Sequence, residues 1–471
     1  MTSPREPSAP LRRAAIIGAG PVGLALGLMM ARQCPDWSVS VFDARDLHAD
    51  ISRDPRTLAL SLGSVQMLQP LGGWPESGTQ PILEVQVTQE TPALARGGQR
   101  PQVRMSAAEL GVPQLGAVLA YGQLVPTLHR AWLQAAEQQP HRLHHRFGHP
   151  VQGLKIVDGT PQEADPGARI FAQVEVDAGV CETFDLAIVA EGGVFMRDRS
   201  PKELAITSAR QAAAAAAAPG PTRVGGIGGA ALAQQAAQLV DWLQSRSISH
   251  DYGQTAWVGT VMLSGATPGR AIEHFSRQGP VALLPLPPLP SGSTPAPNLH
   301  RASLVWCVKA DEDPVTGLDE AARMAVLNSL LPEGAGRIEH IGPLKSFALG
   351  LQAQASLVRD GCLVRIGNAA QTLHPVAGQG LNLGLRDAAA LVERLRLMER
   401  RGESLEQAVD RVQWSRAADR WSMIAATDFL ARSFTWQLPG AATLRALGLV
   451  AVQHLPGVKL GLARQMMFGR R

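Results

Sequence analysis

The amino-acid sequence predicts an α/β fold with a discontinuous Rossmann-like nucleotide-binding domain, an inserted mainly β-sheet domain and a C-terminal helical region. Three observations predict it. An apolar strand runs into a glycine-rich turn near residue 18, a second strand, glycine loop and helix lie near residue 370, and much of the chain between them alternates apolar and polar residues. The length of 471 residues exceeds what one hydrophobic core usually supports, so we expect more than one domain.

The first motif is the segment Arg13–Gly23, in which a short apolar strand runs into Gly-x-Gly-x-x-Gly and then into a helix. We expect Gly18 to form the tight turn, Gly20 to let a pyrophosphate approach the backbone, and Gly23 to let helix and strand pack closely. A second strand ends at Asp43, about twenty residues beyond the glycines, where a carboxylate can accept from a ribose hydroxyl. The segment therefore predicts a dinucleotide site rather than a fortuitous glycine-rich turn.

The second motif runs from Arg365 to Gly384 and has the pattern of a strand end, a glycine-punctuated loop and a helix start. Gly367 and Asn368 end the strand and leave backbone amides free to face a polar ligand. Gly378 and Gly380 let the backbone approach a flat ring, and the following helix directs its positive N-terminal end at the same ligand. The pattern indicates a cradle of the kind that holds a flavin.

Because the two motifs lie far apart in the chain, the predicted domains are discontinuous. The nucleotide-binding domain is predicted from residues 1–81, 119–195 and 345–400, and the substrate domain from 82–118 and 247–344. The runs Trp257–Leu263, Val281–Leu286 and Ala302–Val308 are candidate strands of the substrate domain. Residues 196–246 form a low-complexity insertion, whose glycine cluster we interpret as a linker because no apolar strand precedes it, and residues 401–471 form the helical region.

The composition is that of a globular enzyme and gives little support to nucleic-acid binding. The net charge is only +4, from 44 basic and 40 acidic residues that are spread along the chain. The four cysteines have no metal-ligand spacing, so we expect packing roles in a reducing compartment and no metal site. The first 13 residues lack the apolar segment of a secretory signal, and no apolar run reaches the roughly eighteen residues of a spanning helix, so we expect a cytoplasmic protein.

The C-terminal segment from residue 417 has a helical pattern with two interpretations. Apolar Leu444 and Leu447 and basic Lys459 and Arg464 are compatible with an amphipathic helix that rests peripherally on the inner membrane. The same residues are compatible with a helix packed on the nucleotide-binding domain or in an oligomer contact. Pro-Gly pairs at positions 439 and 456 predict that the segment is divided into short helices.

Five segments of the chain carry a family resemblance. They are Gly18–Gly23, Asp54–Ser61, Phe275–Pro285, Ser303–Cys307 and the cradle from Gly367 to Gly380. Together they resemble the UbiH-type flavin hydroxylases of ubiquinone biosynthesis, a branch of the aromatic monooxygenases that are similar to p-hydroxybenzoate hydroxylase. The pattern Gly-Asn-Ala-Ala-Gln-Thr-Leu-His-Pro-x-Ala-Gly-Gln-Gly is the most specific part, because related branches carry Asp where this chain has Asn368.

The resemblance implies that the chain binds FAD and uses NAD(P)H as a co-substrate. Gly18, Gly20 and Gly23 would hold the FAD pyrophosphate and Asp43 its adenosine ribose. The other positions that match FAD contacts of the family are Arg56, Gln123, Arg130, Glu191, Gly192, Gly367, Asn368, Gly378, Gln379, Gly380, Leu381 and Asn382.

Some of these assignments have alternatives. Arg56 has an alternative as an ion-pair partner of Asp54, and Arg130 as part of a solvated helix face. His374 and Pro375 are the catalytic candidates, with a structural histidine that fixes the loop as the favoured alternative to a base. The chain departs from the family at Glu191, where the usual residue is aspartate, so its carboxylate lies one methylene further out.

The reaction implied by the resemblance is hydroxylation of a polyprenylated phenol in ubiquinone biosynthesis. NAD(P)H would reduce the flavin, and O2 would then react through a flavin C4a-hydroperoxide, while the protein positions the phenol and excludes water. The isoprenoid tail would need an apolar groove, for which the second sheet is the candidate wall. The alternatives are an FAD monooxygenase or reductase acting on another aromatic compound, or a non-catalytic scaffold subunit; assembly into a quinone-synthesis complex or a homo-oligomer is also compatible with the sequence.

Overall fold

The computed structural model describes residues 10–90, 101–158, 170–176, 180–192, 205–208, 247–288, 298–375, 378–433 and 440–470. Most of the predicted insertion 196–246 therefore lies outside the described residues. Within them, the α-helices are α1 (Pro21–Gln33), α2 (Leu62–Leu68), α3 (Tyr121–Gln138), α4 (Glu320–Leu330), α5 (Gln379–Arg401), α6 (Leu405–Ser433), α7 (Ala441–His454) and α8 (Pro456–Phe468).

The strands form four sheets. Those of the first part of the chain are β1 (Arg12–Ile17), β2 (Trp37–Asp43), β3 (Thr57–Ser61), β4 (Gln80–Ile82), β5 (Glu84–Gln89), β6 (Gln102–Ser106), β7 (Gly116–Ala120), β8 (Leu143–Phe147), β9 (Val151–Asp158), β10 (Ile170–Val176) and β11 (Val180–Phe184). The later part contributes β12 (Leu186–Val189), β13 (Ala205–Ser208), β14 (Ser247–Ser264), β15 (Arg270–Ser276), β16 (Gly279–Pro285), β17 (Leu299–Lys309), β18 (Arg337–Ile341), β19 (Lys345–Gln354), β20 (Val358–Arg359), β21 (Leu363–Arg365) and β22 (Gln371–Thr372).

The six-stranded sheet forms the centre of the predicted nucleotide-binding domain. Its order is β20-β21-β12-β1-β2-β8, and every pairing is parallel except that of β20 with β21. Helices α1, α3 and α5 cover one face through Leu24, Trp132 and Leu391, and the small sheet β11-β10-β9-β13 covers the other. Cover on both faces explains why β1 is a continuous apolar run rather than an alternating one.

The nine-stranded sheet is the predicted substrate domain. Its order is β22-β19-β14-β17-β16-β15-β5-β6, with β18 paired to β14. The three candidate strands predicted from alternation lie in β14, β16 and β17, which confirms them. One boundary needs correction: β19 pairs with β14, so residues 345–354 belong to this sheet and not to the nucleotide-binding domain. Strands β9 to β11 form a separate antiparallel sheet.

The two faces of the nine-stranded sheet contact different elements. On the outer face, Leu283 and Trp306 pack in one cluster with Leu327 of α4. The other face, called the inner face below, carries Leu284 and Ala271, which pack in a cluster with Met467 of α8. The inner face is therefore turned toward the C-terminal helices and the nucleotide-binding domain.

The C-terminal region is helical, and helices α7 and α8 begin at the predicted breaks. Helix α6 packs along α5, and α8 packs on α2, where a Cβ at Gly63 would lie 2.7 Å from the Met467 carbonyl oxygen. Lys459 Nζ contacts Glu109 Oε1 at 2.7 Å, which joins α8 to the edge of the substrate domain. Among the described helices, none is by itself long and apolar enough to cross a membrane; α7 and α8 meet that test only as a pair, bent by 95°.

Candidate functional site

Three loops meet at the carboxyl edge of the six-stranded sheet. They follow β1, β12 and β21, which are neighbouring parallel strands, so their ends lie side by side. A Cβ at Gly18 would lie 2.9 Å from the Glu191 nitrogen, and one at Gly192 would lie 2.2 Å from the Asn368 Cβ. The two distant motifs are thus packed against each other, as predicted from the sequence.

Two of the motif glycines face open space. A Cβ at Gly20 or at Gly380 would meet no atom within 4 Å. Gly20 is the N-cap of α1 and Gly378 that of α5, and neither helix has a side-chain cap hydrogen bond. Because the first amides of a helix lack intrahelical partners and carry partial positive charge, two anion-binding helix ends lie at this edge of the sheet.

Asp43 lies next to the first glycine turn, and it is paired. Its Oδ2 accepts a hydrogen bond of 2.6 Å from the Ala19 amide, and its Oδ1 accepts one of 2.9 Å from Arg45 Nε. Burial acts to raise the pKa of Asp43, but the hydrogen bonds from Arg45 and Ala19 outweigh it and lower that pKa. Arg45 also donates to the Ala19 carbonyl oxygen at 2.7 Å, so it fixes the glycine turn. This role was not predicted from the sequence, where the only signal is that Arg45 follows Asp43 by two residues.

Glu191 contributes a second carboxyl group beside the turn. Burial raises the pKa of Glu191, and the nearby charge of Asp43 raises it further. Glu191 therefore binds a proton more readily than a free glutamate does, and a bound proton removes a negative charge from the neighbourhood of the phosphate-binding turn. The glutamate in place of the family's aspartate remains compatible with an anionic ligand.

Three side chains predicted to contact FAD, those of Arg56, Gln123 and Arg130, have different surroundings in the structure. Arg56 forms an ion pair of 2.7 Å with Asp54 and lies 3.9 Å above the Tyr121 ring, so the alternative contact proposed from the sequence is present. Gln123 packs on Gly78, where a Cβ would lie 1.9 Å from its Nε2. Arg130 is exposed and lines a cavity of about 550 Å³ beside the C-terminal end of α1, away from the glycine turn.

The cradle loop is held by buried hydrogen bonds. Asn382 uses its whole side-chain amide within the protein: Nδ2 donates to the Ala59 and Gly378 carbonyl oxygens at 3.1 and 3.0 Å, and Oδ1 accepts from the Ser61 amide and the Ser64 hydroxyl at 2.8 Å each. Asn382 therefore fixes the loop to β3 and α2, and only its backbone is available to a ligand. Of the adjacent candidates, Gln379 is buried at the helix start and Leu381 packs against the main core.

His374, the catalytic candidate, is 1% exposed. Its Nε2 lies 2.9 Å from Gln254 Oε1 on the inner face, and its ring meets that of Tyr252 edge-on at 5.3 Å. Burial lowers the pKa of His374 to about 4, so the imidazole is neutral at physiological pH. These contacts support the structural alternative, in which His374 attaches the cradle loop, including Pro375, to the substrate sheet.

We expect His374 to make stability pH-dependent below pH 6.5. The pKa of His374 is about 4 in the folded protein, and an unperturbed histidine, as in the unfolded chain, has a pKa of 6.5. Between pH 4 and pH 6.5, the unfolded chain therefore binds a proton that the folded protein does not. The contribution of the neutral imidazole to the free energy of unfolding is fully present above pH 6.5. Roughly 3 kcal/mol of this free energy is lost as the pH falls toward 4. Urea unfolding between pH 4 and 8 would show a shallower pH dependence for His374→Gln, which keeps a hydrogen-bonding amide; parallel curves for the two proteins would contradict the assignment.

A buried ionic network lies behind the cradle helix. Asp387 on α5 accepts from Arg416 Nε at 2.8 Å and from Gln371 Nε2 at 3.0 Å, and its side chain is 0% exposed. Arg416 Nη2 also contacts Asp419 Oδ2 at 2.6 Å, and Arg420 Nε donates to Gln371 Oε1 at 2.6 Å. The network fixes α5 and the strand residue Gln371 to α6, and thereby supports the cradle from below.

Comparison with known proteins agrees with this geometry. A family model described as an FAD binding domain matches residues 253–427. Ubiquinone hydroxylase UbiL of Rhodospirillum rubrum is 36% identical over 219 residues, which cover 46% of this chain and 48% of that protein. The 3-demethoxyubiquinol 3-hydroxylase of Escherichia coli is 28% identical over 458 residues, covering 93% of this chain and 94% of that one. The match thus spans about half the length of UbiL and nearly all of the Escherichia coli protein.

A solved structure shows the same fold. Klebsiella pneumoniae HpxO complexed with FAD and uric acid aligns with a TM-score of 0.60 at 14% identity, over 97% of both chains. The open space at Gly20, at the end of α1, fits the FAD pyrophosphate, and the open space at Gly380, in the first turn of α5, fits the approach of the flat ring. The fold and the site are those of a protein that binds FAD. The chain is similar, over the segments given above, to hydroxylases that are named for ubiquinone biosynthesis.

Proposed function

We propose that the protein hydroxylates a polyprenylated phenol on the route to ubiquinone, with NAD(P)H and O2 as co-substrates. The observation that carries the proposal is the joint position of the two glycine motifs and the inner face: the loops of the two motifs pack together at Gly192 and Asn368, and His374 of the cradle bonds to Gln254 of the substrate sheet. A ring bound between cradle and sheet would lie against both. When bound and reduced by NAD(P)H, FAD supplies activated oxygen from O2.

The chain's own residues supply binding, orientation and water exclusion. The helix end at Gly20 would hold the pyrophosphate of FAD, and Gly367 and Asn368, which pack on Gly192, would hold its ribityl part. The inner face presents apolar side chains such as Val258 and Leu284, which suit an isoprenoid tail and keep water from the reacting ring. Geometry that holds the phenol near the cofactor edge is the main catalytic contribution expected of the protein.

The decisive experiment is mass-spectrometric quinone profiling of a strain from which the gene is deleted. We expect an intermediate that lacks one ring hydroxyl to accumulate, and ubiquinone to return when the unaltered gene is restored. A Gly20→Val gene serves as the matched control and should not restore it, because the protein lacks its cofactor. An unchanged quinone profile in the deletion strain would overturn the biosynthetic assignment.

We further propose a cytoplasmic location with peripheral contact at the inner membrane, where a polyprenyl substrate would reside. Support comes from the exposed apolar side chains of α7, with Leu444 72% and Leu447 59% exposed, although α7 also packs on β6. Sedimentation with anionic lipid vesicles should fall for the double variant Leu444→Ser, Leu447→Ser. It should not fall for Trp414→Ser, an exposed apolar control on α6; equal sedimentation of both variants would contradict the proposal.

A further inference from the structure

One row of paired residues crosses five strands on the inner face. The row is Val258 on β14, Val305 on β17, Ala282 on β16, Glu273 on β15 and Val87 on β5. With adjacent strands spaced about 4.8 Å apart, it spans roughly 19 Å. All five residues keep intermediate exposure, whereas their neighbours Trp306 and Val281 on the outer face are fully buried. The row therefore keeps accessible surface on the inner face, whereas the outer face is closed by packing.

The row lies between two contacts with the cradle. At one end, Gln254 on the same face of β14 bonds to His374 of the cradle loop. At the other, Leu284 and Ala271 pack in one cluster with Ala59, whose carbonyl oxygen accepts from Asn382 together with that of Gly378. The inner face is thus turned toward the cradle, where the proposed function places the aromatic ring.

Glu273 is the one charged residue of the row. Protein atoms surround Glu273 densely, yet the residue retains some accessible surface. Within the described residues, its carboxyl group has no ion-pair or hydrogen-bond partner, and burial alone raises its pKa to about 8. A carboxyl group placed in an apolar wall without a protein partner costs stability, so a ligand partner is the natural explanation for it.

The other titratable groups near the row do not neutralise the charge of the Glu273 carboxylate. Cys307, on the same face of β17, has its pKa raised by burial and by Glu273, so its thiol stays neutral. Lys345 is exposed at the far end, beside Val258. On the elements packed against this face, His374 is neutral and Lys459 is paired with Glu109, while Arg464 of α8 is exposed.

We propose that Glu273 binds the hydroxyl group of the phenolic substrate and removes its proton. The inference rests on the proposed function and adds a catalytic residue to it. In this step the phenolic O–H bond breaks, its electron pair stays on the ring oxygen, and the proton forms an O–H bond with the Glu273 carboxylate. The phenolate is the more electron-rich form of the ring and attacks an electrophilic oxygen more readily. A base with a pKa near the operating pH suits this transfer, because a phenol has a pKa of about 10.

The first test compares the FAD-loaded protein with Glu273→Gln and Glu273→Asp. We expect Glu273→Gln to lower the rate of phenol hydroxylation about 100-fold while NAD(P)H oxidation continues and releases peroxide. Hydroxylation by the unaltered protein should rise with pH through about 8 as Glu273 ionises, the Gln variant should lack this rise, and the Asp variant should restore part of the rate. The matched control is Glu339→Gln, which removes an exposed carboxyl group of the same sheet. It should change neither the hydroxylation rate nor its pH dependence.

The second test needs no turnover. The flavin-free protein is titrated with 2-methoxyphenol, and the ultraviolet difference spectrum reports the hydrogen bond that the bound phenol donates. With the unaltered protein we expect a red shift of the phenol band that grows as pH rises through about 8 and Glu273 ionises, and with Glu273→Gln no such pH-dependent shift. A hydroxylation rate or a phenol spectrum that is unchanged in Glu273→Gln would overturn the role of Glu273 alone, whereas an unaltered protein that shows the red shift and hydroxylates no phenol would count against the proposed function.

Discussion

Replacing Gly20 by valine is expected to abolish FAD binding and leave the fold intact. A side chain at this position meets no protein atom within 4 Å, and the backbone is extended with φ of −77°, so valine fits the native conformation. The same side chain would occupy the space through which the pyrophosphate reaches the helix amides. A loss of about 4 kcal/mol of binding free energy, or roughly a thousandfold in affinity, is expected.

The measurement is flavin content after purification, with the affinity for added FAD followed by fluorescence quenching. Far-ultraviolet circular dichroism and the unfolding midpoint would show whether the variant is folded; a small decrease of about 1 kcal/mol is expected from valine at an N-cap. Gly461→Ala is the control, because a Cβ there also meets open space but lies on α8. A yellow Gly20→Val protein with ordinary FAD affinity would show that the pyrophosphate lies elsewhere.

Replacing Asp387 by asparagine is expected to cost roughly 3–5 kcal/mol of unfolding free energy, the typical effect of removing one partner of a buried ion pair. Asp387 is fully buried and shares Arg416 with Asp419. Without its charge, a single carboxylate faces the buried guanidinium groups of Arg386, Arg416 and Arg420, the last of which already has its pKa lowered to about 10 by burial.

Urea unfolding monitored by tryptophan fluorescence gives the change in unfolding free energy. The matched control is Glu312→Gln, which removes a carboxylate from an exposed 3.0 Å pair with Lys309 and should cost less than about 1 kcal/mol. Asp387→Asn should also lower FAD retention, because the network supports α5 from behind. If the two variants lost similar amounts of stability, the buried network would have no special role in fixing the cradle.

The two glycine motifs were predictable because each depends on a few consecutive residues. Gly18 adopts φ of +105°, a conformation that favours glycine, and Gly23 leaves no space for a Cβ, which would lie 1.9 Å from the Gly18 oxygen. Such requirements are local, so they are visible in the sequence. The alternation of β14, β16 and β17 was visible for the same reason.

The side-chain roles were less predictable because they depend on partners far along the chain. Asn382 matched a family cofactor contact, yet its amide is used by β3 and α2, more than 300 residues away in sequence. Arg130 lies on the predicted helix, but the rotation of α3 places it on the exposed side. Arg45 and Glu273 carry no motif, and only contacts with the glycine turn and the inner face identify them.

By itself, the sequence determined the fold class, the dinucleotide turn, the cradle and the helical C-terminal region, because backbone conformation and hydrophobic periodicity are encoded over short stretches. The tertiary structure decided how closely the two motifs pack, that β19 joins the substrate sheet, that Gln254 is the partner of His374, and that Glu273 lies on the inner face. Those features follow from strand register and helix packing between distant segments, and a shift of one residue in register would turn Glu273 to the outer face.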